Sequence, residues 1–321
     1  LRSHVELERR LALRLERHPD DAALWLELGR LRAEQLHRPG AAAEAFRRVL
    51  EADPESLPAI RGLRAVVQRL GRWEDAAETL QMEIDLPLER GPNQLAALYR
   101  RLGDVCWRHL DSTTRASGAF AAALEACPED LRALRSLQQL FETMEDWRGL
   151  HGLFESEVEI LGEADPERRQ EIWLRAGALC RDRLEDTTRA LRAYEQAAAL
   201  GEIPTEEQRA WAELYHDTGQ AERFCEVFEG WCDASGARPE AEDHLRLAGC
   251  LAELSHIENA ARHAARAAEC NPGLVDAWDE LASLRERLGD RPGAAAALEN
   301  GAARLAGSAA AERNHRAAQL L

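Results

Sequence analysis

The same pattern of residues recurs every 74 positions through most of this 321-residue chain. Aromatic and glycine positions keep the interval in three series, namely Trp25, Tyr99 and Trp173; Gly29, Gly103 and Gly177; and Phe46, Phe120 and Tyr194. A chain with such a repeat folds as a row of similar units, because each unit buries its apolar face against the next one.

The stretch Ala22–Pro54 shows what one unit contains. Apolar residues at helical spacing predict two helices, the first with Trp25, Leu28 and Leu31 on one face and the second with Ala42, Phe46 and Val49. The sequence HRPG at residues 37–40 breaks the chain between them, and Pro54 ends the second helix. Each unit is therefore a pair of helices joined by a tight turn.

This stretch contains W-x-x-L-G, A-x-x-x-F and a closing proline, and so resembles a tetratricopeptide repeat (TPR). The resemblance implies an all-α, right-handed α-solenoid of stacked helix–turn–helix hairpins. It also implies a concave groove that is lined by the first helix of each hairpin and binds an extended peptide or a helix.

We expect one TPR-like solenoid over residues 1–321. It begins with a half-hairpin at residues 1–21 and ends with another at 311–321, and the pattern loosens near residues 236–241. Eight hairpins fill residues 22–310, with starts at Ala22, Leu57, Ala96, Leu131, Gln170, Thr205, Glu242 and Val275. Because the chain starts at Leu1 in the middle of a repeat, we expect it to be an excerpt of a longer array.

Composition restricts the kind of partner. The net charge of −17 argues against binding to nucleic acid or to an anionic membrane, which requires a continuous basic surface. All 41 basic residues are arginine, and together with the abundant alanine this indicates coding by a GC-rich, bacterial genome. No apolar run reaches the length of a membrane span, and no signal peptide is apparent.

The seven cysteines are odd in number and lack a regular disulfide spacing. Cys106 and Cys180 hold equivalent core positions, which predicts buried free thiols and favours a reducing, cytoplasmic location. Cys225 and Cys232 share a helix face, and packed thiols explain them better than a metal site does. His256 and His263 are explained as histidines of a helix surface or a turn. No motif for catalysis or cofactor binding occurs, so we expect neither an enzyme nor a cofactor.

A peptide site is predicted on the first helices of three successive hairpins. Residues 1–150 are nearly balanced in charge, with 22 arginines against 25 acids, whereas the remainder has 19 against 33. On each of these helices the basic residues are three, four, seven or eight apart and lie away from the apolar stripe. Trp107 stands where the copies 74 residues before and after it have Ala33 and Arg181. The predicted site is Arg61, Arg64, Arg69, Arg100, Trp107, Arg108, Arg132 and Arg135. The alternatives are that Trp107 packs on the next hairpin and that the arginines form a solvated face with local ion pairs.

The equivalent face near the end of the chain is acidic, with Glu206, Glu213, Asp217, Asp243, Glu253, Asp276, Asp279 and Glu286. We therefore expect a non-catalytic scaffold or adaptor that binds an acidic, partly apolar protein segment, or that associates head to tail with itself. A clamp for a terminal carboxylate is not expected, because related clamps use lysine and asparagine where this chain has arginine. The alternative function is a regulatory or sensory array fused to an effector domain outside this sequence.

Overall fold

A computed structural model describes residues 2–234 and 236–321, apart from the side chain of Arg2. These residues form eighteen α-helices and no strand. The first nine are α1 (Arg2–Arg17), α2 (Ala22–Arg30), α3 (Pro39–Ala52), α4 (Leu57–Arg69), α5 (Trp73–Asp85), α6 (Pro92–Arg108), α7 (Thr113–Ala126), α8 (Leu131–Met144) and α9 (Trp147–Leu161). The next nine are α10 (Pro166–Asp182), α11 (Thr187–Leu200), α12 (Thr205–Asp217), α13 (Ala221–Asp233), α14 (Ala241–Glu253), α15 (Ile257–Cys270), α16 (Val275–Arg287), α17 (Arg291–Ala302) and α18 (Ser308–Leu320). The all-α fold class is as predicted.

The helices form two compact units, Leu1–Gly162 and Glu163–Leu321. In each unit neighbouring helices pair as hairpins, beginning with α2 and α3 in the first and with α10 and α11 in the second. Helix α1 packs on α2, and α18 packs on α17. The single continuous array over residues 1–321 and its right-handed sense stay predictions.

Five of the eight predicted hairpin starts coincide with helix starts, and Glu242 is one residue after the start of α14, but the other two were wrong. Helices α6 and α10 begin at Pro92 and Pro166, four residues before the predicted starts at Ala96 and Gln170. Proline is favoured in the first turn of a helix, because its fixed φ suits the helix and its missing N–H has no partner there anyway. The extra turn makes α6 and α10 seventeen residues long.

Phe46 shows how the repeated aromatic residue joins neighbouring hairpins. Its ring is 1% exposed and lies between α2 of its own hairpin and α4 of the next one. A Cβ added to Gly29 would stand 2.7 Å from Cε1 of this ring, and one added to Gly62 would stand 2.6 Å from Cζ. Both glycines therefore let the ring contact the helix backbone directly. Phe120 and Tyr194 are likewise fully buried, as predicted.

The turn inside each hairpin requires a residue whose backbone has positive φ, in the left-handed region. This requirement also recurs every 74 residues. One series is His37, Asp111 and Glu185, with φ of 52°, 49° and 51°; the other is Gly71, Glu145 and Gly219, with φ of 70°, 56° and 71°. Glycine adopts this region without steric penalty, whereas an L residue with a side chain does not. Glu145 is the exception in a series that otherwise uses glycine.

Replacing Glu145 with glycine should raise the free energy of unfolding by about 1 kcal/mol, because it removes the contact of Cβ with the following carbonyl. Urea denaturation measures the change. Gln139→Gly, at an exposed position inside α8, is the matched control and should lower stability by about 1 kcal/mol. If both variants are destabilised, the backbone strain at Glu145 is not significant.

The seven cysteines all lie in the described part of the chain and are free thiols. Cys106, Cys180, Cys225 and Cys232 are buried, which confirms the predicted packing roles. Burial raises the pKa of the Cys106 thiol. Cys250 is half-buried and shares a hydrogen bond with Cys225, which lowers the pKa of Cys250.

Candidate functional site

Three adjoining open cavities lie along α2, α4 and α6 in the unit Leu1–Gly162. One of about 520 Å³ lies between α2 and α4, and two of about 530 and 520 Å³ lie between α4 and α6. Arg61 lines all three, so the cavities adjoin one another at this residue. We refer to the residues that line these three cavities as the groove face.

A buried carboxylate organises the groove face between α4 and α6. Glu83 of α5 is 1% exposed and accepts a 2.8 Å hydrogen bond from Nε of Arg61. It accepts a second from Nη1 of Arg64. Burial opposes ionisation, but the hydrogen bond from Arg61 and the charges of Arg64 and Arg61 outweigh it and lower the pKa of Glu83. Glu83 is therefore a carboxylate that holds two guanidinium groups in place.

Two further arginines line the same cavity. Arg90, in the loop before α6, donates from Nη1 to the carbonyls of Ile84 (3.0 Å) and Leu86 (3.3 Å) and from Nη2 to the carbonyl of Glu83. Arg101 of α6 is exposed, and no carboxylate of the described residues pairs with it. We call Arg61, Arg64, Arg90 and Arg101, together with Glu83, the arginine cluster.

The 74-residue copies of this cluster carry less charge. At the next copy the buried Glu157 accepts from Nε of Arg135 (3.2 Å) and from Nε2 of Gln138 (2.8 Å), so glutamine replaces Arg64. In the third copy Arg209 bonds to Asp243 at 2.9 Å and lies over the ring of Trp231. The arginine at this position therefore belongs to the repeat, whereas the second arginine occurs in one copy.

The structure places the predicted site residues in different surroundings. Arg61, Arg64, Arg69 and Arg108 line the cavities, and Arg69 also donates to the carbonyl of Ala33 at 3.0 Å. Arg108 is largely exposed and lies 3.7 Å from Asp104.

The other four predicted residues do not line these cavities. Arg100 forms an ion pair with Asp130 at 2.5 Å, and Arg135 forms one with Glu157. Arg132 is exposed on α8. Trp107 is half-buried and meets Phe120 edge-on, with the ring centroids 6.3 Å apart, so part of its surface packs within its own hairpin.

Sequence reasoning missed Arg90, Arg101 and an aromatic pair in the cavity between α4 and α6. Trp73, the first residue of α5, stacks on His109 with ring centroids 3.5 Å apart and planes at 5°. Arg101, Asp104 and Arg108 are three and four residues apart on α6, and that spacing could have identified them. The sequence gives no comparable signal for Arg90 or for the stacked pair.

The predicted acidic face in the unit Glu163–Leu321 is partly neutralised by local ion pairs. Four of its eight acids bind arginines. Arg246 binds Glu213 through two hydrogen bonds of 2.7 and 2.8 Å, and the other pairs are Arg209 with Asp243, Arg313 with Asp279 and Arg316 with Glu286. The face is therefore less acidic than the sequence indicates.

The expectation that His263 lies on a helix surface or a turn was wrong. His263 is 0% exposed, and its Nδ1 is 3.2 Å from Nδ1 of the buried His244. Its Nε2 faces Glu229 at 3.4 Å. Burial and the neighbouring ring lower the pKa of His244, and burial lowers that of His263, so both rings are neutral near pH 7. The other buried residues of α15 are alanines.

Two other kinds of site are absent among the described residues. No group of three or more histidine, cysteine, aspartate and glutamate side chains is arranged to hold a metal ion. None of the helices that these residues form is long and apolar enough to span a membrane.

No protein-family model and no curated protein matches the sequence. Among solved structures, the chain is similar to YrrB, described as a TPR protein with an unusual peptide-binding site, at 16% identity and a TM-score of 0.37 over 59% of this chain and 91% of that one. It is similar to MamA at 18% identity and a TM-score of 0.37, over 59% and 93% of the two chains. A tetratricopeptide repeat protein from Parabacteroides merdae has 13% identity and a TM-score of 0.36, over 83% and 98%. The helical hairpins and their 74-residue pattern, rather than these likenesses, establish that the chain has a TPR-like fold.

Proposed function

We propose that the chain is a non-catalytic scaffold or adaptor that binds an acidic, partly apolar peptide of a partner protein along the groove face. The excess of positive charge in the cavities is the observation that carries this proposal. Seven arginines line the three cavities against three acids, Glu34, Glu83 and Asp104. A local excess of this size favours an anionic ligand although the whole chain carries −17.

The cavities strengthen the effect of these charges. Recessed walls of low dielectric concentrate the local potential, so net charge does not decide what binds there. Arginine also presents a planar fork that can hold a carboxylate through two hydrogen bonds. Aspartate and glutamate side chains of an extended peptide therefore suit this face.

Apolar surface alternates with the arginines. The cavity between α2 and α4 includes Leu57 and Pro58, and the stacked rings of Trp73 and His109 line the one between α4 and α6. The accessible part of Trp107 adds an aromatic surface beyond the cavities on α6. These contacts supply the apolar part of the proposed specificity, since aromatic residues contribute strongly to protein interfaces.

A separate partner protein is favoured over a second copy of this chain. The acidic face on which head-to-tail association depends has half of its predicted carboxylates in ion pairs with neighbouring arginines. A second copy would have to break those pairs or use the remaining acids. Sedimentation over a range of protein concentrations tests self-association directly.

Reversing Arg30 and Arg108, which line two of the cavities, to glutamate should weaken binding of acidic peptides about tenfold and reduce the dependence of binding on salt. Both side chains are exposed, so their reversal leaves the core intact. Reversal of Arg100 or Arg135 is a poorer test, because it would set a carboxylate against Asp130 or the buried Glu157. Fluorescence anisotropy with labelled peptides of alternating glutamate and leucine measures the affinity at two salt concentrations.

Arg148→Glu is the matched control, because Arg148 is exposed on α9, the second helix of its hairpin. Peptides of alternating arginine and leucine test the expected preference for acidic ligands. The proposal fails if the double variant binds the acidic peptide like the wild type, or if the basic peptide binds more tightly.

A further inference from the structure

We propose that the arginine cluster is a binding site for a phosphomonoester group carried by the peptide. The proposal rests on the proposed function, since it places one phosphorylated side chain of that peptide between α4 and α6. It assigns a chemical class of ligand to a part of the groove face that includes Arg90 and Arg101, neither of which belongs to the predicted peptide site.

The charge balance of the cluster favours a dianion. Four guanidinium groups and a single carboxylate, Glu83, line one cavity of about 520 Å³, and two of the four bind that carboxylate. One peptide carboxylate would leave two of the three excess positive charges unmatched. A phosphoserine carries about −1.5 to −2 near neutral pH and offers three acceptor oxygens, so it would match most of the excess.

The donors are positioned before any ligand arrives. Glu83 holds Arg61 and Arg64 through hydrogen bonds, and three backbone carbonyls hold Arg90. A guanidinium has five N–H groups, and Arg61 remains largely exposed with only its Nε bonded to Glu83. Free N–H groups of a fixed guanidinium can therefore bind phosphate oxygens at little further entropic cost. Arg101 is exposed and can turn onto the bound group.

The internal copies show that the fold does not require this excess charge. Glu157 is as deeply buried as Glu83, yet it accepts a hydrogen bond from the amide of Gln138 at the position where Glu83 has Arg64. A buried glutamate at this place in the repeat therefore does not require an arginine at the position of Arg64. Because glutamine is accommodated at position 138, Arg64→Gln is a variant that the fold should tolerate.

The test uses small probes and NMR of the arginine Nε–H groups in the full chain. The probes are N-acetyl-phosphoserine amide, N-acetyl-glutamate amide and inorganic phosphate, each titrated at pH 7 and constant ionic strength. We expect the phosphoserine derivative to bind at least about tenfold more tightly than the glutamate derivative, with shifts at Arg61, Arg64 and Arg101. Arg64→Gln and Arg101→Gln should each reduce its affinity about tenfold, whereas the control Arg148→Gln should not.

Equal affinities for the phosphoserine and glutamate derivatives would overturn the proposal while leaving the acidic-peptide function intact. Inorganic phosphate that bound as tightly as the phosphoserine derivative would overturn the assignment to a peptide. Loss of affinity in Arg148→Gln equal to that in Arg101→Gln would show that only net charge matters, and would also overturn it. Arg101 has no carboxylate partner among the described residues, so Arg101→Gln tests the site even if Arg64→Gln unfolds.

Discussion

Replacing Phe46 with alanine should lower the free energy of unfolding by about 3–5 kcal/mol. The ring fills the space between Gly29 and Gly62, and the backbones of two helices bound that space on both sides. Helix backbones move together less readily than side chains, so the cavity left by the ring would persist. The loss should extend to both hairpins, because units in a repeat array are stabilised by their contacts with neighbours.

Urea denaturation measures the loss, and hydrogen exchange locates it. Amide protection should fall in α2 and α3 and also in α4 and α5. Leu13→Ala removes an apolar side chain that is 52% exposed, and it should change stability by less than about 0.5 kcal/mol. Protection that fell only in α2 and α3 would contradict a core shared between the hairpins.

Replacing Glu83 with alanine should cost about 3 kcal/mol, because removal of one partner of a buried ion pair leaves the other uncompensated. Arg64, with a side chain 14% exposed, would lose its carboxylate in a largely buried position. This cost lies at the lower end of the range expected for breaking a buried ion pair, because Arg61 is 58% exposed and water can solvate it. Glu83→Gln keeps an acceptor of the same shape and should cost less.

The pH dependence provides a second measurement of the same interaction. The pKa of Glu83 is lowered from 4.5 in the folded protein, so its contribution is complete above about pH 4.5 and is lost as the pH falls towards the folded value. Glu83→Ala should therefore lose less stability than the wild type on acidification through this range. Glu78→Ala, at an exposed position on α5, is the control. Its free energy of unfolding should depend on pH as that of the wild type does, between about pH 7 and about pH 3. If the free energy of unfolding of Glu83→Ala depends on pH as that of the wild type does, this carboxylate is not held ionised by the arginines.

The sequence by itself determined the class of fold and the main packing contacts. The 74-residue interval, the helical spacing of apolar residues and the pairing of glycine with an aromatic ring all predicted hairpins. Phe46 and Gly29 meet as expected because both lie within one hairpin, whose geometry follows from local helix periodicity and a short turn. The predicted start of α6 was wrong by one turn, because proline can begin a helix as well as end one.

Tertiary structure alone decided which charged residues face a common cavity. Arg100 and Arg101 are adjacent in sequence but about 100° apart around α6, and the packing of that helix turns the first to Asp130 and the second into the cavity. In the sequence Glu83 looks like an ordinary acid of a helix surface, but the packing of its hairpin buries it beneath Arg61 and Arg64. These partners lie about twenty residues apart on different helices, so local periodicity predicts each helix but not the rotation that brings their side chains together.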